Sequence, residues 1–253
     1  MTSALSILSQ VDGSVDCGHR YVCLPPAGGT LCTVRAIGDA ATGFAVWGVE
    51  YPAHGSRIAE PSPVTLERLA EQLARELAEL FGRRWVARTV LVGFSMGAFV
   101  GLELARRMHL WCGVAPAALV VVGAVAPQRR VPGKYARTDT ATLMRLLDRH
   151  SSASLAAPEA RDYAVELLRI DLVLASAFRG PADATVPCAV VALCGEDDPS
   201  VGTVADATVA WQSWATGSFT AGVVRGDHLG LLAPGRGTEF WAWMSRLVES
   251  GDD

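Results

Sequence analysis

The sequence predicts an α/β fold in a single domain over residues 1–253: a mostly parallel central sheet flanked by helices, with a helical insertion over residues 127–186. Three observations predict it. Short β-branched runs alternate with amphipathic stretches, the pattern that builds parallel strands joined by helical crossovers. One junction, Val90-Leu91-Val92-Gly93-Phe94-Ser95-Met96-Gly97-Ala98, reads as strand, Gly-x-Ser-x-Gly turn and helix. The alternation then stops between Pro127 and Pro187, where only helical spacing is found.

Residues 20–24 form the first apolar strand, 31–41 a helix and 43–49 a second strand. Residues 65–81 are strongly amphipathic, with Leu66, Leu69, Ala70, Leu73, Leu77, Leu80 and Phe81 on one face. After the turn at Ser95, Leu102, Leu104, Ala105 and Met108 keep helical spacing, and residues 117–126 form the next strand. The insertion centres two or three helices on Leu143-Met144-Arg145-Leu146-Leu147 and Tyr163-Ala164-Val165-Glu166-Leu167-Leu168. Placed there, it is expected to cap the carboxyl edge of the sheet as a lid that walls the pocket and excludes water. Strand 187–194, a helix through Val204, Val209 and Trp214, strand 219–224 and a helix over 239–248 complete the chain.

The strand–turn–helix around Ser95 is a nucleophile elbow, in which Gly93 and Gly97 permit the tight turn that lifts the hydroxyl above the sheet. A serine hydroxyl is a poor nucleophile at neutral pH, so it needs a histidine base and an acid to orient that base. Chain order with such an elbow is serine, acid, histidine, which leaves His109, His150 and His228. His109 falls near the end of the helix after the elbow, and His150 ends a polar helical stretch. His228, in Gly226-Asp227-His228-Leu229 just after a strand, is the expected base. The acid should leave an earlier strand, and Gly195-Glu196-Asp197-Asp198-Pro199 follows strand 187–194, whereas strand 117–126 carries no acid at its exit. Asp198, three positions after Gly195, is the first candidate and Asp197 the reserve. An oxyanion hole needs backbone N–H groups. Met96, after the nucleophile, is one donor, and Ala27 in Pro25-Pro26-Ala27-Gly28-Gly29-Thr30 is the expected second.

These segments resemble the type II thioesterases that accompany polyketide and nonribosomal peptide synthases, within the α/β-hydrolase superfamily. The resemblance covers nearly the whole chain. It rests on Leu24-Pro25-Pro26-Ala27-Gly28-Gly29, Glu50-Tyr51-Pro52-Ala53-His54-Gly55-Ser56-Arg57, Gly93-Phe94-Ser95-Met96-Gly97-Ala98 followed by Glu103-Leu104-Ala105-Arg106-Arg107, and Gly195-Glu196-Asp197-Asp198-Pro199. Trp211 through Trp214, Thr216-Gly217-Ser218-Phe219 and Gly226-Asp227-His228 complete it. It implies hydrolysis of acyl groups from the phosphopantetheine thiol of an acyl or peptidyl carrier protein, without a cofactor. The chain departs from the family pattern at two places: Phe94 replaces the usual His before the nucleophile, and Ala53-His54 replaces Gly-Arg. Both are expected at the rim of the substrate pocket, with His54 otherwise a loop histidine. Arg129, Arg130, Lys134 and Arg137 cluster where the insertion begins, and Arg129 and Arg130 are candidates for contact with the acidic carrier or its pantetheine phosphate. The same three side chains would also serve a carboxylesterase or an acyltransferase.

Composition excludes other classes. With 253 residues, 50% of them hydrophobic, the chain can bury a large core in one domain. A net charge of −4 argues against a nucleic-acid partner. Residues before Gly13 and Asp16 lack the basic start and apolar run of a signal peptide. The longest apolar run, residues 117–126, falls short of the roughly 18 residues a membrane span needs. A cytoplasmic, monomeric protein is expected. Cys17, Cys23, Cys32, Cys112, Cys188 and Cys194 form no C-x-x-C pair, so neither a metal site nor a disulfide framework is expected.

Overall fold

The computed structural model describes residues 5–9, 18–130, 133, 138–150, 157–181, 185–199 and 203–249. Its strands are β1 (Leu5–Ser9), β2 (Arg20–Leu24), β3 (Ala45–Val49), β4 (Thr89–Phe94), β5 (Ala118–Val122), β6 (Ala189–Gly195) and β7 (Phe219–Val224). Its helices are α1 (Leu31–Asp39), α2 (Leu66–Phe81), α3 (Met96–Cys112), α4 (Thr140–His150), α5 (Pro158–Ala177), α6 (Val204–Val209) and α7 (Gly237–Glu249). The strands lie in the order β1-β3-β2-β4-β5-β6-β7, with β2 through β7 parallel and β1 antiparallel to β3.

Strand alternation sorts the side chains into two layers. Val22 and Leu24 of β2, Leu91 of β4 and Leu119 and Val121 of β5 face one core with α2 and α3. Tyr21, Cys23, Val90, Val92, Phe94, Val120 and Val122 face the other, with Val34 and Ile37 of α1 and Phe240, Trp241 and Met244 of α7. Because β3 and β4 flank β2, the strand order reverses there, and the helices after β2 and β4 leave on opposite faces. That reversal opens a crevice beyond the carboxyl ends of β2 and β4, where ligands of open α/β sheets bind.

The expected alternation is present, with some elements shorter and α7 longer than expected. The fifth strand stops at Val122 rather than residue 126 because Gly123 turns with φ +61° and gives its amide to the Leu193 carbonyl at 2.9 Å. The helix expected through Trp214 divides into α6 and a 3-10 turn, Ala210–Trp214. β1 was not foreseen: it has five residues, pairs among the described residues only with β3 and carries an irregularity between Ile7 and Ser9, too little pattern to read. The apolar stripe of α2 is buried from Leu66 through Leu77, but Leu80 is 53% exposed. Periodicity assigns the face a residue shares, not whether a neighbour covers that end of the helix.

α4 and α5 lie between β5 and β6. Leu143 of α4 and Val165 and Leu168 of α5 form a small cluster of their own that also receives Ala27, while Ala175 and the following Phe178 join the main core. The far end of α5 is therefore anchored in the domain, and its near end rests on the loop after β2. Among the described residues no helix is long and apolar enough to cross a membrane.

Candidate active site

β4 ends in a turn that its glycines make possible. Ser95 sits at φ 51° and ψ −110°, a sparsely populated conformation of the kind that costs about 1–3 kcal/mol. A Cβ on Gly93 would lie 2.3 Å from the Gly97 carbonyl oxygen, and one on Gly97 would lie 2.2 Å from the Leu24 carbonyl oxygen. The second contact seats the elbow directly on the end of β2. Gly97→Ala is expected to destabilise the protein by about 3 kcal/mol or more, because backbone rather than a side-chain tip must move. Urea titration of the variant against the parent checks this.

The glycines at the exits of β5 and β6 give the histidine loop its seat. A Cβ on Gly123 would meet the His228 carbonyl oxygen at 2.5 Å, and one on Gly195 would meet that of Asp227 at 2.4 Å. With the loop there, His228 Nε2 lies 2.9 Å from Ser95 Oγ, and His228 Nδ1 lies 2.8 Å from Asp198 Oδ2. Asp198 is buried, whereas Asp197 is exposed and contributes its amide to the Gly226 carbonyl at 3.0 Å. Of the two candidate acids it is therefore Asp198 that faces the imidazole. A carboxylate can only accept, so the proton belongs on Nδ1 and leaves the Nε2 lone pair facing the serine hydroxyl. His109 lies thirteen residues beyond the start of α3, about 20 Å along the axis at 1.5 Å per residue. The side chain of His150 lies outside the described residues.

Met96 is the first residue of α3, so its amide has no acceptor within the helix. Across from it, Gly28 gives its amide to Asp171 Oδ2 at 2.7 Å and Gly29 gives its own to the Pro26 carbonyl at 2.9 Å. The Ala27 amide has no acceptor among the described residues. Both expected oxyanion donors thus lie at the carboxyl edge, Met96 at the start of α3 after β4 and Ala27 in the loop after the adjacent β2.

Two rim expectations and one carrier-contact expectation are corrected. Phe94 is wholly buried on the α1 and α7 side of the sheet, with its ring 6.5 Å from that of Phe240, because strand alternation sends it to the face opposite Leu91. It is a core residue. His54 is no idle loop histidine: it is 2% exposed, with Nδ1 2.9 Å from the Pro52 carbonyl and Nε2 3.0 Å from Asp171 Oδ2. Arg130 turns inward, donating to the Ala175 carbonyl with its guanidinium 4.3 Å from the Phe99 ring centre. Arg129 alone of the pair faces outward, in an open groove with Gln128, Val209, Ala210, Gln212 and Ser213. Lys134 and Arg137 lie outside the described residues.

Sequence reasoning missed Asp171, a 2% exposed carboxylate in α5. The signal was present: Asp171 follows Leu167 and Leu168 and precedes Leu174 at helical spacing, an acid on an apolar face. Glu50 was also missed as a hub. It accepts the Leu31 amide at 3.1 Å and the Ser56 amide at 3.0 Å, and so ties the start of α1 to the loop after β3. That loop holds Ala53 at φ +66°, where the resembled family has glycine. Ala53→Gly is expected to be stabilising by up to about 1 kcal/mol, the relief of positive φ outweighing the added chain entropy. A thermal midpoint raised by about 2–4 °C would be the sign of it.

A parallel sheet with a strained serine at its carboxyl edge, facing a histidine from the loop after the last strand, defines the α/β-hydrolase class. Within that class a family model described as "Thioesterase domain" matches residues 20–241. The chain belongs to the thioesterase domain family. It is 30% identical over 213 residues to a probable cadicidin biosynthesis thioesterase of Streptomyces griseus, covering 83% of this chain and 57% of that protein. It is 29% identical to the thioesterase PikA5 of Streptomyces venezuelae, over 83% of this chain and 74% of the relative. It spans only 10% of the AMB antimetabolite synthetase AmbE of Pseudomonas aeruginosa, at 30% identity, so the first two relatives it matches extend well beyond it. Among solved structures, the type II thioesterase BorB from the borrelidin biosynthetic cluster aligns with a TM-score of 0.78 at 28% identity, covering 98% of both chains.

Proposed function

We propose that this protein is a serine thioesterase that hydrolyses acyl thioesters from the phosphopantetheine arm of acyl or peptidyl carrier proteins. Its role on this reading is to edit or release chains in polyketide or nonribosomal peptide biosynthesis. The observation that carries it is the continuous path from Ser95 Oγ through His228 to Asp198, at 2.9 and 2.8 Å, inside a thioesterase domain. The S. griseus relative and BorB are named for cadicidin and borrelidin biosynthesis, which supports that setting.

His228 takes the Ser95 proton as Oγ attacks the thioester carbonyl, and Asp198 stabilises the imidazolium that forms. The Met96 and Ala27 amides receive the oxyanion, a contribution of about 3–4 kcal/mol per donor. As the tetrahedral adduct collapses, the carbon–sulfur bond breaks and His228 returns the proton to the departing thiolate. Water, deprotonated by the same imidazole, then attacks the acyl-serine and frees the acid. α4 and α5 act as the lid over this site, and Arg129 is the surface cation that meets the acidic carrier.

Intact-mass spectrometry of acyl-loaded carrier proteins with and without the enzyme tests the activity. Loss of the acyl mass from the carrier, with the free acid as product, is the expected result. Transfer to an added alcohol or amine, or cleavage of oxygen esters alone, would overturn it. Arg129→Glu is expected to slow reaction with acyl carrier protein by about tenfold at low salt while sparing a small acyl-thioester, since a single surface charge acts mainly on encounter rate. Stopped-flow rates at two ionic strengths check this.

A further inference from the structure

The loop that carries Ala27 is held from α5 through a buried pair, His54 and Asp171. Nδ1 of His54 faces the Pro52 carbonyl, which can only accept, so it carries a proton. Nε2 faces Asp171 Oδ2 at 3.0 Å, and the same oxygen receives the Gly28 amide at 2.7 Å. With the carboxylate ionised, both ring nitrogens donate and His54 is an imidazolium. Its side chain and that of Asp171 are 2% and 3% exposed, so this charge pair is shielded from water.

We propose that the His54–Asp171 ion pair is a positioning device that sets the Ala27 amide for the oxyanion by clamping Gly28 to α5. The proposal rests on the reading of Ala27 as an oxyanion donor. Among the described residues, Asp171 is the one side chain that touches both the Gly28 amide, next to the proposed donor, and the loop after β3. Two further contacts brace the same junction. Tyr51 donates its hydroxyl to the Pro25 carbonyl at 3.0 Å, and Tyr163 of α5 donates to the Ala53 carbonyl at 2.7 Å. Leu168, one turn before Asp171, lies against Gly28 so closely that a Cβ there would fall 3.1 Å from its own Cβ.

The pair makes the clamp sensitive to pH. Facing His54 are Asp171 from α5, Glu50 and the Tyr51 ring from its own loop, and beyond them Arg57, which donates to the Glu50 carbonyl. Burial opposes the charge on His54, but the hydrogen bond and the charge of Asp171, then the Pro52 carbonyl and Glu50, outweigh it and raise the imidazole above its ordinary value. A raised value means that the clamp is complete below about pH 6.5, the unperturbed imidazole value, and is lost as pH rises through the folded one. Loss of either proton leaves a ring lone pair aimed at the Pro52 carbonyl or at Asp171. The arginine of the resembled family at this position would stay charged throughout that range.

Two-dimensional proton–nitrogen spectra of the full chain across pH 5–9 test the pair without any substrate. The His54 ring nitrogens are expected to show a doubly protonated ring that titrates above the ordinary imidazole range, with the Gly28 amide shifting at the same midpoint. In His54→Gln the Gly28 shift should disappear. A neutral His54 ring at pH 6, or a Gly28 titration unchanged by His54→Gln, overturns the proposal. Kinetics then test the positioning: kcat is expected to fall on the alkaline side with the Gly28 midpoint, and Asp171→Asn to lower kcat by about 10- to 100-fold with KM nearly unchanged. A variant that loses thermal stability but keeps the wild-type kcat and alkaline profile would show a structural role alone and overturn it. Should Asp171→Asn not fold, the wild-type titration still decides the pair. Absence of thioester turnover in the wild type would instead refute the proposed function, and the spectra would still report on the clamp.

Discussion

Ser95→Ala is expected to lower kcat on an acyl carrier thioester by about 10⁵- to 10⁶-fold, the loss seen when a serine nucleophile and its base act as a unit. The fold should survive. Alanine keeps the backbone torsions of the elbow, and the contacts that seat it come from Gly93, Gly97 and the Ser95 amide, which donates a hydrogen bond to the Val122 carbonyl at 2.8 Å. The variant should therefore still bind acyl carrier protein and melt close to the parent. Single-turnover mass spectrometry measures both the turnover and the missing acyl-enzyme. Retained hydrolysis in a folded Ser95→Ala protein would remove Ser95 from the reaction.

Asp198→Asn should cost about 10⁴-fold in kcat with little change in structure. The amide can present its NH₂ to His228 Nδ1, which favours the tautomer with its proton on Nε2 and leaves no lone pair for the serine hydroxyl. Binding of the thioester does not depend on that proton, so KM should hold while kcat falls. Asp197→Asn, one residue earlier and exposed, should leave kcat near the parent value. Reversal of the two outcomes would transfer the acid to Asp197. The pair of variants thus resolves the one choice that spacing left open.

Much of the fold was legible because its signals are local. β2 and β4 to β6 read as apolar runs, and α2 as a 3.6-residue stripe capped by Thr65, whose hydroxyl accepts the Arg68 amide at 3.2 Å. The Ser95 turn was legible for a different reason, since its glycines answer to steric contacts so short that no other residue fits. β1 escaped because an edge strand with a single partner leaves little pattern in five residues. Phe94 was placed at the rim because a motif position says where the backbone goes, while strand alternation sends the side chain to the face with Phe240. The same limit applied to Arg130: its charge suggested a surface, but its guanidinium lies over Phe99.

The amino-acid sequence by itself determined the order of elements from β2 onward, the tight turn at Ser95 and the helical stretch between β5 and β6. These depend on short-range sterics and periodicity, which a chain carries wherever it goes. Only the tertiary structure decided that Asp198 rather than Asp197 meets His228, that the Arg130 guanidinium packs over Phe99, and that Asp171 in α5 reaches back 117 positions to His54 and 143 to Gly28. A buried polar group must find its partner in space, and sequence separation carries no information about which distant group will be there.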